Sequence, residues 1–330
     1  MGGLFLTLAC GDYDRLRPLW DGSVVPEGIE LNVIRLSPEE IFFRQLRYQE
    51  FDASELSLSS YTISRSGGSC PFIAIPVFPS RFFRHSCVYV NAAAGIHSPK
   101  DLRERRVGVP DYQMTAAVWV RAFLQHDYGV PPEEIQWVMG GQETPGRTPV
   151  MPVDLPKHLR IESLGPGQTL SSMLERGEIA ALITPYLPSP FVAKSPKVRR
   201  LFPNFREVEE DYFRRTGVFP IMHTLALKEE LYRRHPWAAQ SLYKACVAAK
   251  AIAYRQLHET TALHTMLAWL TEEVEREEAL MGEDFWPYGL ESNRPTLEAF
   301  TRVMLEQGLV PRKLDAAELF APNTLASFKR

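Results

Sequence analysis

An α/β protein of two lobes with a helical C-terminal part is what this sequence predicts, on three observations. Short apolar stretches of strand length alternate with helical ones through the first 184 residues or so. The alternation restarts after about residue 90, which divides it into two runs. The chain of 330 residues is too long for one small core and suits two units of ordinary size.

The elements follow in order. The run Leu4-Phe5-Leu6-Thr7-Leu8-Ala9 reads as a first buried strand, 13–20 as a helix and 29–36 as a strand after Gly28. Ser37-Pro38-Glu39-Glu40 is a helix start, with Ser37 as cap, Pro38 at the first helical position and Glu40 completing a capping box. That helix runs to Phe51. A short strand with hydroxyls and one carboxylate, ASELSLS, spans 53–59, and an apolar strand spans 72–77. An alternating strand at 86–90 leads into the second run. It continues with a short helix from Ser98, a strand at 106–110, an amphipathic helix at 114–128 and a strand at 135–138. Residues 140–159, rich in Gly and Pro, read as a loop. A helix at 169–176 and a strand at 179–184 close the run. Beyond a strand within 217–227 the chain is predominantly helical, with segments at 228–234, 237–258 and on to 281, then 296–307. Each run of βα units predicts a mostly parallel sheet with helices on both faces.

Bulk properties exclude several classes of function. A net charge of -3 offers no electrostatic case for nucleic acid. No apolar run reaches the roughly 18 residues that a membrane span needs. The segment LTLAC, ending at Cys10, superficially resembles a lipoprotein cleavage site, but no Lys or Arg precedes it and the apolar stretch is short. It reads as a strand, and the protein as cytoplasmic. The four cysteines have no C-x-x-C pairing and lie in or beside apolar segments, as reduced buried thiols do. There is no H-E-x-x-H, no closely spaced Cys/His set and no glycine-rich phosphate loop, so no metal is expected, although Glu55, His85 and His223 together are a conceivable ligand set.

Four segments point to one family. They are RVGVPDYQMTAAVWVRAFLQHDYGV (106–130), RGEIAALITPYLPSPF (176–191), GVFPIMHTLALKEELYRRHPWAAQSLYKA (217–245) and DFWPYGLESNRPTLEAF (284–300). Together they resemble 4,5-dihydroxyphthalate decarboxylases, and the likeness runs over nearly the whole chain. Those enzymes are grouped with type 2 periplasmic binding proteins. The resemblance therefore implies two α/β lobes joined by two crossover strands, with ligand held between them. The strands at 85–91 and 221–227 are the natural crossovers. They divide the chain into a discontinuous first lobe (1–89 and 222–330) and a continuous second lobe (90–221).

Within that frame, the stretch VFPSRFFRHSCVYVN (77–91) begins a strand with Arg81, Arg84 and His85 instead of turn residues. Guanidinium groups suit a ligand with adjacent carboxylates, because they bond both oxygens of a carboxylate. Arg81 and Arg84 are expected to bind substrate. His85 and His223, the latter in the apolar run FPIMHTLAL, are expected to do acid–base work. Glu55 either orients a histidine, takes a phenolic proton, or faces water at a sheet edge. Ser57 and Ser60 follow the same strand. Tyr112, Gln113 and Thr115 open a long helix whose free amides favour anions, with Asp111 as its cap, and Tyr186 ends a strand of the same lobe. These are expected to contact substrate.

The reaction implied is loss of carbon dioxide from a hydroxylated phthalate, 4,5-dihydroxyphthalate to protocatechuate, by acid–base catalysis that requires no organic cofactor. The alternatives are a non-catalytic receptor for an aromatic carboxylate, or another small-molecule lyase such as a dehydratase on the same scaffold. The expected partner is a small aromatic mono- or dicarboxylate, and self-association is compatible with all three readings.

Overall fold

A computed structural model describes residues 3–147 and 149–326. Among these, the strands are β1 (Leu4–Cys10), β2 (Ile29–Arg35), β3 (Ala53–Ser57), β4 (Phe72–Arg81), β5 (Val88–Asn91), β6 (Arg106–Val109), β7 (Gln136–Met139), β8 (Arg160–Ser163), β9 (Ala181–Ile183), β10 (Val198–Arg200) and β11 (Ile221–Lys228). The chain divides into two compact units. The first comprises Met1–Arg81, His223–Glu298 and Leu314–Arg330; the second comprises Phe82–Met222 and Ala299–Lys313. Residues 82–89, 222 and 299–313, expected in the first lobe, fall in the second unit.

In the first unit the strand order is β2-β1-β3-β11-β4. β1 is parallel to both β2 and β3, as short βα units require, while β11 runs antiparallel to β3. β3 therefore lies centrally and every residue in it is buried. The 22-residue helix Pro236–Leu257 packs on β4 and on the turn Asp14–Leu16 that follows β1. In the second unit the order is β10-β5-β9-β6-β7-β8. β6 is parallel to β7 and β9, and β7 to β8, whereas β5 is antiparallel to β9 and β10. Tyr89, Val138, Leu170, Leu174, Ile179 and Leu182 form its core.

Several local expectations change. Ser37 leads its helix without a side-chain cap bond, and the capping box forms instead at Ser98 and Asp101. The strand predicted over 53–59 stops at Ser57 and gives way directly to a helix, Leu58–Ser66. Serine-rich sequence is a weak helix former. Tertiary bonds fasten this one: Tyr61 donates its hydroxyl hydrogen to the Leu319 carbonyl (2.5 Å) and accepts from the Ala74 amide (3.1 Å). Asp111 does not cap the long helix, which starts at Thr115 with Met114 ahead of it. The predicted loop at 140–159 is present in its described part, with Thr148 outside the described residues. The helical expectation from 259 to 269 fails, because regular helix resumes only at Leu270. The edge strands β8 and β10 had no recognisable signal: RIES is mostly exposed and VRR is three residues long. Among the described residues no helix is long and apolar enough to cross a membrane.

Candidate active site

The most unusual group in the first unit is Glu55, a carboxylate at 0% exposure in the central strand of a sheet. A strand buried on both faces ordinarily carries Val, Ile and Leu, and ASELS breaks that rule. Register explains how the charge is held. β11 places Leu225 opposite Glu55 and His223 opposite Ser57. His223 is thus the diagonal cross-strand neighbour of Glu55 on one face of the sheet, within reach of a long side chain. Its Nδ1 donates to Glu55 Oε1 at 2.5 Å. From the segment just after β1, the Gly11 amide donates to Oε2 at 2.9 Å and the Tyr13 hydroxyl donates to Oε1 at 2.6 Å.

The electrostatics follow from this cradle. Burial by itself would raise the Glu55 pKa, but His223, the Tyr13 hydroxyl and the Gly11 amide more than offset it and hold the carboxyl below its ordinary range. Burial and the Glu55 charge push Tyr13 far upward, so it stays a neutral donor. With Nδ1 committed to Glu55, His223 keeps Nε2 for other chemistry. Its side chain is 16% exposed and the edge of Phe42 meets it at 4.9 Å. A histidine oriented by a buried carboxylate, with one nitrogen still able to exchange protons, is a general base in the making.

The remaining first-unit candidates are differently placed. Arg81 is enclosed: its guanidinium bonds the Asn293 side-chain oxygen and lies 5.5 Å from the Phe78 ring. Burial pushes its pKa down to about 9. Expected to be a carboxylate clamp, it instead ties β4 to the residues before the helix Arg294–Glu306. Ser57 Oγ lies 3.1 Å from Ser59 Oγ, and Ser60 is buried in the helix that follows β3. Sequence reasoning missed Tyr13 and Gly11. The available signal was GDY directly after a first strand, at the carboxyl end where ligands collect in open α/β sheets.

In the second unit, His85 is a packing residue. Its ring stacks on Phe123 at 4.0 Å and 13°, with Phe202 and Tyr212 edge-on at 5.3 and 5.5 Å. It is 2% exposed, and Glu209 Oε1 stands 3.7 Å from its Nδ1. That carboxylate accepts the backbone amides of His85 (3.0 Å) and Ser86 (3.3 Å). The expectation of a catalytic His85 is withdrawn on this geometry. Tyr112 is likewise core: it is 0% exposed, packed edge-on against Trp137, with the Arg121 guanidinium 3.7 Å from its ring centre. A substrate contact there is withdrawn too. Gln113 donates to the Met151 carbonyl at 3.1 Å and Thr115 is buried, whereas Tyr186 is 43% exposed.

Arg84 differs from the other arginines in its acceptors. Nε points at Met222 Sδ (3.2 Å), Nη1 at Cys87 Sγ (3.6 Å), and the group lies 4.7 Å from the Phe82 ring. Sulfur is a weak acceptor, so this half-buried guanidinium retains most of its capacity for a carboxylate. A separate pocket of about 190 Å³ lies beyond the carboxyl ends of β6, β7 and β8, lined by Asp111, Met139, Gly140, Arg147, Ser163 and Leu164 among others. Among the described residues no group of three or more His, Cys, Asp or Glu stands together as a metal site would require.

No family model matches the chain. A 4,5-dihydroxyphthalate decarboxylase of Comamonas testosteroni is 44% identical over 329 residues, covering 100% of both chains. Another protein of that name, from Pseudomonas putida, is 44% identical over 214 residues, covering 65% of this chain and 83% of its own. Among solved structures, the periplasmic aliphatic sulphonate binding protein SsuA of Escherichia coli has a TM-score of 0.55 at 12% identity, covering 98% of this chain and 99% of its own. The desulfurization enzyme DSZB has a TM-score of 0.53 at 15% identity, covering 98% and 97%. The structural likenesses show a periplasmic-binding-protein fold, as expected, and full-length identity to the named enzymes decides the rest: the chain belongs to the 4,5-dihydroxyphthalate decarboxylase family.

Proposed function

We propose that this protein converts 4,5-dihydroxyphthalate to protocatechuate and carbon dioxide without oxidation, with the Glu55–His223 pair moving the phenolic proton. Family membership supports a carboxy-lyase. The observation that carries the residue assignment is the 2.5 Å bond from His223 Nδ1 to a fully buried carboxylate. The chemical obstacle is the aryl carbanion that direct loss of carbon dioxide would leave. A hydroxyl para to the departing carboxylate removes it. When Nε2 of His223 takes the phenolic proton, electron density moves through the ring to the carboxylated carbon, which takes a proton drawn from solvent. The C–C bond then breaks, its electron pair restores the aromatic ring as a phenolate, carbon dioxide leaves, and the His223 imidazolium returns its proton to the phenolate oxygen. Glu55 stabilises the imidazolium formed in the first step while Nδ1 keeps its proton. The substrate enters as a dicarboxylate and leaves as a monocarboxylate, so each turnover takes up one proton from solvent.

Arg84 is the residue we assign to a substrate carboxylate, supported by its weak sulfur acceptors. We place the reaction in the cytoplasm, where the buried, unbridged thiols of Cys10, Cys87 and Cys246 stay reduced. Incubating the purified protein with 4,5-dihydroxyphthalate and following protocatechuate and carbon dioxide tests the function. Tight binding without turnover would leave a receptor and sink the decarboxylase. In the same assay Arg84→Gln should raise KM about tenfold or more; an unchanged KM removes Arg84 from the site.

A further inference from the structure

Glu55 Oε1 serves two donors at once, the His223 imidazole at 2.5 Å and the Tyr13 hydroxyl at 2.6 Å. Tyr13 is far from Glu55 in sequence, and its orientation is set on several sides. The Arg15 guanidinium lies 4.6 Å from the Tyr13 ring and 4.1 Å from the Trp286 ring, and Arg15 Nε donates to the Pro79 carbonyl at 2.9 Å. Gly11 permits the ring to lie where it does: a Cβ there would stand 2.7 Å from Tyr13 Cε2. A relay therefore runs from Tyr13 through Glu55 to His223. Nothing in acid–base packing alone requires a second donor on the oxygen that already holds the histidine.

We propose that Tyr13 is a positioning residue: by sharing Glu55 Oε1 with His223 it tunes how readily the free imidazole nitrogen accepts a proton. The inference rests on His223 being the base of the decarboxylation. The physical reason is competition. Each hydrogen bond to Oε1 withdraws charge from it, so the tyrosine weakens the pull of Glu55 on the imidazole. The groups around this relay are few in kind. Glu55 comes from β3, Cys10 from the end of β1, and Asp14 and Arg15 from the turn beyond it; Ser80 comes from β4 and the uncharged Phe42 from the helix Pro38–Tyr48. Cys10 is kept as a thiol by burial and by the Glu55 charge, and Arg15 is paired with Asp14 at 2.8 Å. Glu55 and Tyr13 are thus the groups bonded to one another that set the histidine.

The test is a histidine-selective NMR titration of the full-length protein, with His223 assigned by its loss in His223→Asn. Tyr13→Phe keeps the ring and removes the donor. The expected result is a rise of the His223 midpoint by about half a pH unit or more, with the acid limb of kcat/KM moving up by the same amount. Gly11→Ala should act in the same direction by displacing the ring, and it serves if Tyr13→Phe does not fold. An unmoved or lowered midpoint in the variant that folds overturns the proposal, whatever happens to the melting temperature. Because the titration is read without turnover, a protein lacking decarboxylase activity would overturn the functional reading and leave this measurement intact.

Discussion

Among the described residues, two histidine–glutamate pairs are largely enclosed, and the same residue types do opposite things in them. In the first unit, Glu55 sits in a central strand and bonds the His223 ring directly at 2.5 Å. In the second, Glu209 spends its oxygen on the amides of His85 and Ser86, and the His85 ring is stacked flat on Phe123. One carboxylate acts on an imidazole and the other on the backbone. What separates them is what the ring touches: a charge bonded directly through Nδ1, or three aromatic rings. A histidine beside a glutamate becomes proton-transfer machinery only when the ring nitrogen is the bonding partner and the other nitrogen is not walled in.

The contrast can be broken most sharply at Glu55. Glu55→Gln keeps an oxygen to receive the Nδ1 hydrogen but removes the charge that stabilises the imidazolium, so kcat should fall about 10²–10⁴-fold. A wild-type kcat in that variant would place His223 on the same footing as His85. Next in size is His85→Ala, which empties a buried aromatic stack. It should cost about 2–4 kcal/mol in denaturant unfolding while changing kcat by less than about threefold. A large loss of kcat with little loss of stability would restore His85 to the chemistry.

The smallest effect concerns acid stability. The folded-state pKa of Glu55 lies below its unfolded value, so its contribution is fully present above about pH 4.5 and is lost as pH falls through the folded value. Melting curves of wild type and Glu55→Gln should therefore converge as pH drops below about 4.5. Curves that diverge on acidification would mean that Glu55 is not held ionised by its donors.

The sequence made much of this legible because the fold class depends on local signals. Alternating βα runs announced the sheets, and the helices at Pro38–Tyr48, Thr115–His126 and Pro236–Leu257 followed from apolar spacing and proline positions. Glu55 and His223 stood out as polar residues in strands that should have been apolar, the kind of break in local rules at which a site is sought. The short edge strands and the serine-rich helix after β3 were not legible. Their stability comes from neighbours that are distant in the chain, such as the Leu319 carbonyl under Tyr61.

By itself, then, the sequence determined the alternation of elements, the kinds of chemical group present and the full-length resemblance to one family. Tertiary structure decided which of those groups meet. The antiparallel register of β11 on β3 put His223 diagonal to Glu55, and the turn after β1 brought Tyr13 to the same oxygen. The same folding closed aromatic rings around His85 and buried Arg81 against Asn293. The physical reason is range. Strand and helix propensities act over a few residues, whereas the proton affinity of a side chain depends on partners fixed by strand register, and here those lie 42 and 168 positions away.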